Sequence, residues 1–535
     1  MNVNRLFGAA SRMGIHRLSS SVQVQHRAII PTGTTATTGT AKRFFADRIV
    51  VDDSRGDDSQ WAHDFTEATV GVAQMDPKEI DYGTSAQRLR ELIKSGLLLH
   101  TDLRDHPERF FLAHRILAQH SSAVGPGFWV RFTVHYNLCA GTVLALGTDP
   151  QVEQLQEMQT QGLLGCFSLT EKLAGVSSGL VVNTTATWQP ESQTFLLNSP
   201  DVGAHKNWIS QGLVADKTVV VADLTIQDKS YGPHAFLIDL RQDGDLVSGV
   251  ATQDMGIKTV GNDLDNAAIA FDNVTIPKSA LLSKFADIDA DGNYVQKVKG
   301  IPVFHMIGQR LFTGRVAVAQ AAMAFRRGLF DRTKQFSDQK QCWAPHGKHV
   351  VLSDIPHINA LYEKAHSEAA ELDAFVGECE RRLCDCLRNN KLPSLDLVEA
   401  IACAKVKCVE GSIRACHQLQ QDVGSYALMG GTGFENIDFL TCCKFAEGDS
   451  RILQQKMSRD RMKRFQNQDD TPEGVEPQDW ATENQACADL QDKMLHIMTT
   501  ENVDKHMAWD RCFEEVYELS EVIMARTMKS FMAKA

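Results

Sequence analysis

A carboxylate with apolar neighbours lies in the last third of the chain. Glu447 follows Phe445-Ala446 and precedes Gly448, and it stands 17 positions after Gly430, where a Gly-Gly-Thr-Gly cluster begins. A carboxyl group held away from water has a raised pKa, which makes it a better base. The pattern therefore indicates a general base. The alternative is an exposed glutamate at a helix N-terminus, stabilised by the macrodipole.

A second segment with an unusual pairing of side chains lies about 240 residues upstream. Trp208 and Ser210 stand two positions apart within Lys206–Gly212. An aromatic plane beside a small hydroxyl group suits a flat redox ring, although such an aromatic also serves as a core residue of a β domain. Together with a base, the pair indicates proton abstraction coupled to hydride transfer onto a flavin.

Composition and charge narrow the class of protein. The chain has 535 residues, of which 43% are hydrophobic and 23% are charged, values typical of a globular protein. A net charge of −12 argues against a general nucleic-acid role. The sequence contains no run of about 18 apolar residues, so we predict no transmembrane segment.

Cysteine usage bears on both disulfides and metals. The 13 cysteines are scattered and odd in number, which favours free thiols over a disulfide framework. Cys384 and Cys386, like Cys442 and Cys443, have no second Cys or His pair at zinc-finger spacing. We therefore expect no metal site.

The first 46 residues differ from the rest in composition. They contain neither Asp nor Glu, but they carry Arg, Lys and many Ser and Thr residues. This composition predicts a mitochondrial transit peptide over residues 1–46, and the alternative is a disordered basic tail. We accordingly predict the mitochondrial matrix as the location, with the peroxisome as the alternative.

Apolar periodicity divides the remaining chain into helical and β regions. Helical spacing predicts one continuous helix over 128–146, and residues 268–274 are a candidate strand. The predicted fold class is an α+β multi-domain protein, in which a cofactor is expected between the β domain and the C-terminal helices. Its predicted parts are an N-terminal helical bundle (47–160), a central small β-barrel domain (161–285), a C-terminal helical bundle (300–465) and a helical C-terminal extension (478–535).

Five short motifs follow one another in the order typical of one superfamily. They are Gly165–Glu171, Lys206–Gly212, Asp272–Pro277, Gly430–Phe434 and Glu447-Gly448. With the motifs placed on the predicted helical and β domains in this order, the chain resembles the acyl-CoA dehydrogenase and oxidase superfamily over roughly residues 85 to 465. The resemblance implies FAD as the cofactor and an acyl-CoA thioester as the substrate.

The resemblance assigns the flavin ring to two segments of the β region. It implies that Phe167, Leu169 and Thr170 lie at the pyrimidine edge of the flavin. Trp208 would cover the ring, and Ser210 would reach toward N5. Such contacts tune the electronics of the cofactor, which supplies the redox chemistry.

The rest of FAD is assigned to the C-terminal bundle. Lys340 and Trp343 occupy the place from which a neighbouring subunit usually contacts the FAD tail. Gly430 and Gly431 would let the backbone approach the pyrophosphate, and Asp449 is a further expected contact. This arrangement implies a homodimer or a homotetramer.

The same resemblance assigns the reacting end of the substrate. Glu447 would take the α-proton while the β-hydrogen leaves as a hydride, and Ser177, Arg310 and Gly448 would contact the substrate. Some relatives carry the base just before an arginine on the first helix after the β domain. Gln309 stands there, and an amide cannot accept the proton, so the role falls to Glu447.

Two electron acceptors remain possible at this point. The predicted transit peptide favours a dehydrogenase that passes electrons to an electron-transfer flavoprotein, and this is our prediction. The segments Glu171–Gly179, Tyr231–Phe236 and Gly261–Asn266 are more similar to acyl-CoA oxidases, which reduce oxygen to hydrogen peroxide. An oxidase is therefore the alternative.

A third possibility belongs to another class of protein. Lys340 stands where an arginine is expected, and Ala427 where a glutamine is expected. These departures and the added C-terminal helices would also suit a flavin-poor subunit that acts in assembly.

Overall fold

Apolar residues at three- and four-residue spacing fold the chain before residue 162 into helices. The computed structural model describes residues 56–75, 81–175, 181–298, 309–343 and 349–534, so the segment predicted as a transit peptide lies outside it. Leu89, Leu92 and Ile93 are buried on one face of the second helix. The helices are α1 (Gly56–Ala73), α2 (Tyr82–Lys94), α3 (Asp102–Asp105), α4 (Pro107–Gln119), α5 (Ser121–Val124), α6 (Phe128–Thr133), α7 (Gly141–Leu146) and α8 (Asp149–Gln161).

The single helix expected over 128–146 is wrong in one respect. A π-helical turn, Val134–Ala140, separates α6 from α7. A π turn inserts an extra residue into the helical ladder and rotates the side chains that follow, and it is frequent at functional sites. The turn carries His135 and Asn137, two polar residues within an apolar stretch.

Short strands separated by turns form two main sheets after residue 164. The first has the order β1-β5-β2-β3-β11 with β6 on the other edge of β5, and the second has the order β4-β10-β9. The strands are β1 (Gly165–Ser168), β2 (Thr185–Gln189), β3 (Thr194–Asn198), β4 (Lys206–Ser210), β5 (Lys217–Ile226), β6 (Lys229–Asp239), β7 (Arg241–Gln242), β8 (Asp245–Leu246), β9 (Val250–Asp254), β10 (Asn266–Phe271), β11 (Val274–Pro277), β12 (Ala286–Ile288) and β13 (Tyr294–Gln296).

Strand β5 organises the larger sheet. Its first half pairs with β1 and its second half with β2, both parallel, while β6 pairs antiparallel along the other edge. Contacts between β1 and β4 and between β3 and β10 join the two sheets. The strand expected over 268–274 is split, because Asn273 has a φ of 50° and turns the chain from β10 into β11.

Long amphipathic helices form the rest of the described chain. Helix α9 packs on α4 and on α11, which places the C-terminal helices against the N-terminal ones. The elements are α9 (Gln309–Ser337), β14 (Gln341–Trp343), β15 (His349–Val351), α10 (Pro356–Arg388), α11 (Leu395–Asp422), α12 (Phe439–Phe445), α13 (Ser450–Gln466), α14 (Pro477–Glu501), α15 (Lys505–Arg511) and α16 (Phe513–Met532).

This arrangement confirms the predicted fold class of helical, β and helical parts. Among the described residues, no helix is both long and apolar enough to span a membrane. The same residues contain no cluster of three or more His, Cys, Asp or Glu side chains that could hold a metal ion.

Buried charges fasten the last helices to the bundle. The carboxylate of Glu483 on α14 accepts from Arg461 Nε of α13 and from Arg526 Nε of α16, each at 2.7 Å. Arg526 Nη1 also donates to Glu399 of α11 at 2.7 Å. Because Glu483 is fully buried, its charge depends on both guanidinium groups.

Replacing Glu483 should destabilise the bundle strongly. Glu483→Ala leaves two largely buried guanidinium groups without their shared carboxylate, so we expect a loss of about 3–5 kcal/mol in the free energy of unfolding. The control is Asp479→Ala on the same helix, which breaks the exposed pair with Lys529 and should change little. Urea unfolding followed by circular dichroism measures both, and equal effects would contradict the prediction.

Candidate active site

Glu447 lies in the short connection between α12 and α13, residues 446–449, which we call the Glu447 loop. Two consecutive residues have left-handed backbone conformations, Glu447 with a φ of 58° and Gly448 with a φ of 96°. Glycine adopts such a conformation freely, whereas a glutamate does so at a cost. The loop therefore needs contacts from neighbouring elements to hold this shape.

The carboxyl group of Glu447 lies between the π turn and α9. Asn137 Nδ2 donates to Oε1 at 3.4 Å, and Oε2 is buried with no hydrogen-bond partner among the described residues. On the other side lies Gly314, where a Cβ atom would come within 2.6 Å of Oε2 and closer still to the other carboxyl atoms. Only glycine at position 314 leaves room for the carboxylate.

Burial sets the acidity of this group. Loss of hydration raises the pKa of Glu447 to about 7, against the smaller opposing effects of Arg315, Asn137 and Lys405. A carboxyl group with this pKa is ionised in part of the population near neutral pH. It is then strongly basic compared with an ordinary glutamate, as a general base requires.

Arg315 supports the backbone of the loop. Its Nε donates to the carbonyl oxygen of Glu447 at 3.1 Å, and burial lowers the pKa of Arg315 to about 10. The guanidinium remains charged at neutral pH. It thus contributes one fixed positive charge beside the carboxylate.

Lys405 on α11 supports the two ends of the loop. Its Nζ donates to Lys444 O at 2.6 Å, to Gly448 O at 2.9 Å and to Ser450 Oγ at 3.3 Å. The side chain is fully buried, and this burial lowers the pKa of Lys405 to about 7. Residues on both sides of Glu447 are therefore tied to one helix.

The residues assigned to the flavin ring come together at the junction of β1 and β4. Thr170 O accepts from Asn207 N at 2.8 Å, which sets the segment after β1 beside β4. Trp208 has a φ of 58° and is 57% exposed, and Ser210 Oγ accepts from Asn266 Nδ2 at 3.2 Å. A large aromatic face held out of the core beside hydroxyl groups fits a planar ring, so this part of the site suits a flavin.

The same junction is held from behind by a buried ion pair. Lys206 Nζ donates to Glu171 Oε1 at 2.9 Å and to Leu169 O at 3.3 Å. Both charged side chains are fully buried. The pair fixes the backbone of Leu169 while Phe167 and Leu169 stay half-exposed on the side away from buried Ser168.

The π turn links this junction to the Glu447 loop. His135 lies two residues before Asn137 in the same turn, and its Nδ1 accepts a hydrogen bond from Gly165 N, at the start of β1, at 3.0 Å. His135 Nε2 then carries the ring proton and donates to His100 Nε2 at 2.7 Å, and His100 Nδ1 donates to Leu155 O at 2.9 Å. Burial lowers the pKa of both rings, that of His100 to about 4, so both are neutral.

The residues assigned to the FAD tail lie elsewhere. Trp343 is 73% exposed beside His349, and a stack of Phe336 on Tyr426 sets the segment before Lys340 near the glycine cluster. Among the described residues, no hydrogen bond or ring contact links Lys340, Trp343, Gly430 or Gly431 to Glu447 or Trp208.

An acidic side chain occupies the glycine amides. Gly431 N and Gly433 N donate to the two carboxylate oxygens of Glu435, at 3.1 and 2.8 Å. The expected pyrophosphate contact at Gly431 thus does not fit this arrangement, since a carboxylate already takes that hydrogen bond and would repel a second anion.

The remaining sequence-predicted residues have mixed outcomes. Asp449 Oδ1 accepts from Arg451 N at 2.7 Å and caps α13, while Gly448 serves as an acceptor for Lys405. Ser177 and the side chain of Arg310 lie outside the described residues.

Sequence reasoning missed Asn137, Arg315, Lys405 and Glu435. Asn137 and Lys405 shared a detectable signal, because each is a polar residue on the apolar face of a predicted helix. Nothing in the local sequence of Arg315 or Glu435 distinguishes either from an exposed helical charge.

Removing the Asn137 donor should make Glu447 less acidic. A donor favours the ionised carboxylate, so Asn137→Ala should raise the pKa of Glu447 above about 7 by roughly half a unit, since one long hydrogen bond contributes less than about 1 kcal/mol. Infrared titration of the carboxylate band, assigned by difference from Glu447→Gln, measures the shift. A lower pKa in the variant would contradict this geometry.

Glu447 should also cost stability in a defined pH range. Its pKa is 4.5 in an ordinary setting and about 7 when folded, so the folded protein binds the proton more tightly and loses stability as pH rises from about 4.5 to 7. Glu447→Gln removes this loss. The variant should therefore be more stable than the parent at about pH 8, and urea unfolding at several pH values should show the gain shrinking toward pH 4.5. A gain that is independent of pH would refute the explanation.

No family model matches the chain. Among curated proteins, it is 33% identical over 407 residues to acyl-coenzyme A oxidase 2 of Yarrowia lipolytica, an alignment covering 70% of this chain and 55% of that protein. It is 31% identical over 233 residues to the peroxisomal acyl-coenzyme A oxidase 3 of Arabidopsis thaliana, covering 42% and 34%. The chain thus spans about half or less of the length of these relatives.

Solved structures share the fold. The crystal structure of acyl-CoA oxidase-2 from Caenorhabditis elegans, bound with FAD, ascaroside-CoA and ATP, superposes with a TM-score of 0.73 at 18% identity, covering 89% of this chain and 76% of that one. At this identity the likeness establishes the fold of the chain and no more.

These relatives correct one prediction and weigh against a second. They are named oxidases, so the prediction of a dehydrogenase coupled to an electron-transfer flavoprotein is wrong, and the oxidase alternative is better supported. The word peroxisomal in the name of the Arabidopsis relative likewise favours the alternative location over the mitochondrial matrix. Both predictions were based on the composition of the first 46 residues, and a basic composition free of acids is not specific to one organelle.

Five motifs in order, a shared fold and relatives named acyl-CoA oxidases agree with one another. The chain belongs to the acyl-CoA dehydrogenase and oxidase superfamily.

Proposed function

We propose that this chain acts as an FAD-dependent acyl-CoA oxidase, which converts an acyl-CoA thioester to the trans-2-enoyl-CoA and passes the electrons to oxygen. The observation that carries the proposal is the carboxyl group of Glu447, which is desolvated and has a pKa of about 7. The names of the relatives support oxygen as the acceptor.

Glu447 acts as the base. The α-proton of a thioester is weakly acidic, so its removal needs a carboxylate that water does not stabilise. Oε1 is oriented by Asn137, whereas Oε2 has no partner among the described residues and can receive the proton. The close contact with Gly314 excludes water from that side.

The backbone of the same residue stabilises the other end of the reacting group. The N–H of Glu447 donates to no other described residue, so it can donate to the thioester oxygen as negative charge develops there. Arg315, bonded to the Glu447 carbonyl, adds a positive charge next to this peptide. Base and oxyanion donor then belong to one residue, and the shape of the Glu447 loop sets their relative orientation.

The β1–β4 junction provides the place for the flavin ring. FAD, with which the C. elegans neighbour was crystallised, supplies hydride acceptance and transfer of electrons to oxygen when bound. Trp208, which is exposed, would cover one face of the ring, and Thr170 and Ser210 would offer hydroxyl groups at its edge. Phe167 and Leu169 complete the half-exposed surface, and Lys206 with Glu171 keeps it in place.

The tail of FAD would be held differently from the expected pattern. Lys340 keeps the charge of the usual arginine without its planar fork, and Trp343 is exposed to meet a neighbouring subunit. Glu435 occupies the amides of Gly431 and Gly433. The proposal therefore includes a homo-oligomer and contacts to the pyrophosphate from groups other than these two amides.

A peroxisomal location completes the proposal, supported by the Arabidopsis relative. Fluorescent fusions at either end of the chain, imaged with peroxisomal and mitochondrial markers, test it. Colocalisation with the mitochondrial marker alone would contradict it.

The activity is tested by turnover with acyl-CoA thioesters of several chain lengths. The flavin should bleach without oxygen, and with oxygen the yield of hydrogen peroxide per enoyl-CoA should be near one. Because Glu447 must be ionised, the rate of flavin reduction should fall about tenfold per pH unit below its pKa of about 7. Peroxide well below one equivalent, with enoyl-CoA formed only when a dye acceptor is present, would reject the oxidase.

Glu447→Gln is the matched test of the base. The substitution removes the proton acceptor and keeps the size and shape of the side chain, so flavin reduction should slow by about 10²- to 10⁴-fold. Glu521→Gln makes the same change at an exposed ion pair with Lys407 and should leave the rate unchanged. A Glu447→Gln enzyme that reduces its flavin at the parental rate would overturn the assignment.

A further inference from the structure

Lys405 is a buried lysine whose hydrogen bonds go to the flanks of one loop. It lies on α11 among apolar neighbours, and its side chain has no exposed surface. Its three acceptors are Lys444 O before Glu447, Gly448 O directly after it, and Ser450 Oγ at the start of α13. When Lys405 is protonated, its ammonium group has three N–H donors, and the three acceptors use all of them.

The acceptors on the loop side need this partner. Lys444 lies in the last turn of α12, where carbonyl groups have no partner within the helix. The carbonyl of Gly448 lies in the left-handed segment, outside any helix or strand ladder. Without Lys405, these partly buried carbonyls would lose the hydrogen bonds that satisfy them, which favours a different loop shape.

The loop shape depends on few other contacts. Glu447 has a φ of 58°, a conformation that a glutamate keeps only when its surroundings impose it. Arg315 holds the carbonyl of Glu447 from α9, and Lys405 holds the positions before and after Glu447 from α11. Arg315 and Lys405 therefore hold the loop from two helices, α9 and α11, that pack on each other.

We propose that Lys405 is a positioning residue for the base, which fixes the orientation of Glu447 by clamping both ends of the Glu447 loop to α11. The inference rests on the proposed function, because it assumes that Glu447 removes a proton. Lys405 touches neither substrate nor cofactor in this assignment, and it acts only through the loop. A displacement of the base by about 1 Å lowers a rate by about 100-fold, so a clamp of this kind has a large effect on catalysis.

The test compares Lys405→Met with Lys407→Met in the full-length holoenzyme. Lys407 is two positions away on the same helix and pairs with exposed Glu521, so its variant controls for loss of a lysine from α11. Hydrogen exchange of the peptide spanning 444–450 reports on the loop without any turnover. Stopped-flow flavin reduction by a saturating acyl-CoA reports on the base.

Lys405→Met should speed exchange in the 444–450 peptide at least tenfold, while other peptides of α11 and α12 exchange as in the parent. Flavin reduction should slow by about 100-fold, with the dissociation constant of the acyl-CoA changed less than about threefold. In the Glu447→Gln background the same substitution should cost clearly less than the about 100-fold expected in the parent, since the base is absent and only the N–H of residue 447 is left for the clamp to position. Lys407→Met should match the parent in every measurement.

Parental exchange in the 444–450 peptide overturns the proposal, as does a 100-fold loss that persists in the Glu447→Gln background. If Lys405→Met does not fold, Lys405→Gln replaces it, since an amide keeps up to two donors. Faster local exchange with a smaller loss of rate then supports the clamp, and parental values reject it. A parent enzyme whose flavin is not reduced by any acyl-CoA refutes the proposed function, whereas the exchange result still decides whether Lys405 holds the loop.

Discussion

The structure depends on keeping one ionisable carboxyl group out of water without giving it a strong partner. An ion pair or two good hydrogen bonds to Glu447 would lower its pKa and remove its basicity. Full exposure would have the same effect. The observed solution is one long hydrogen bond from Asn137, one oxygen without a partner, and a glycine on α9 that leaves room for the group and no more.

Two buried lysines donate hydrogen bonds to backbone carbonyls in two parts of the site. Lys206 binds carbonyl oxygens beside the flavin segment, and Lys405 binds those beside the base. Lys206 binds the carbonyls of Leu169, which follows β1, and of Val221 within β5, and Lys405 binds those of Lys444, in the last turn of α12, and Gly448. Burying a charge is costly, and in both places the hydrogen bonds to the backbone offset part of that cost. The π turn between the two segments sets their spacing, since it contacts β1 through His135 and the Glu447 loop through Asn137.

Features that depend on residues close together in the sequence could be predicted, whereas features that depend on contacts between distant segments could not. The fold class and the Glu447 and Trp208 motifs come from local patterns, and the residues of the β1–β4 junction do lie together. The π turn was missed because its extra residue leaves the apolar periodicity of 128–146 nearly intact. The occupied amides of Gly431 and Gly433 were missed because a glycine cluster does not show which side chain folds back on it. The predicted electron acceptor was wrong because no residue of the site encodes it, and the prediction was based on the composition of the first 46 residues.

The neutral pair of His100 and His135 has a consequence for how this chain can vary. The three hydrogen bonds run in one direction, from the amide of Gly165 through both imidazoles to the carbonyl of Leu155. An asparagine or glutamine in place of one ring must still accept at one end and donate at the other, with the reach of an imidazole. A replacement at either position that lacks an acceptor or a donor would break the series and leave a buried polar group without its partner.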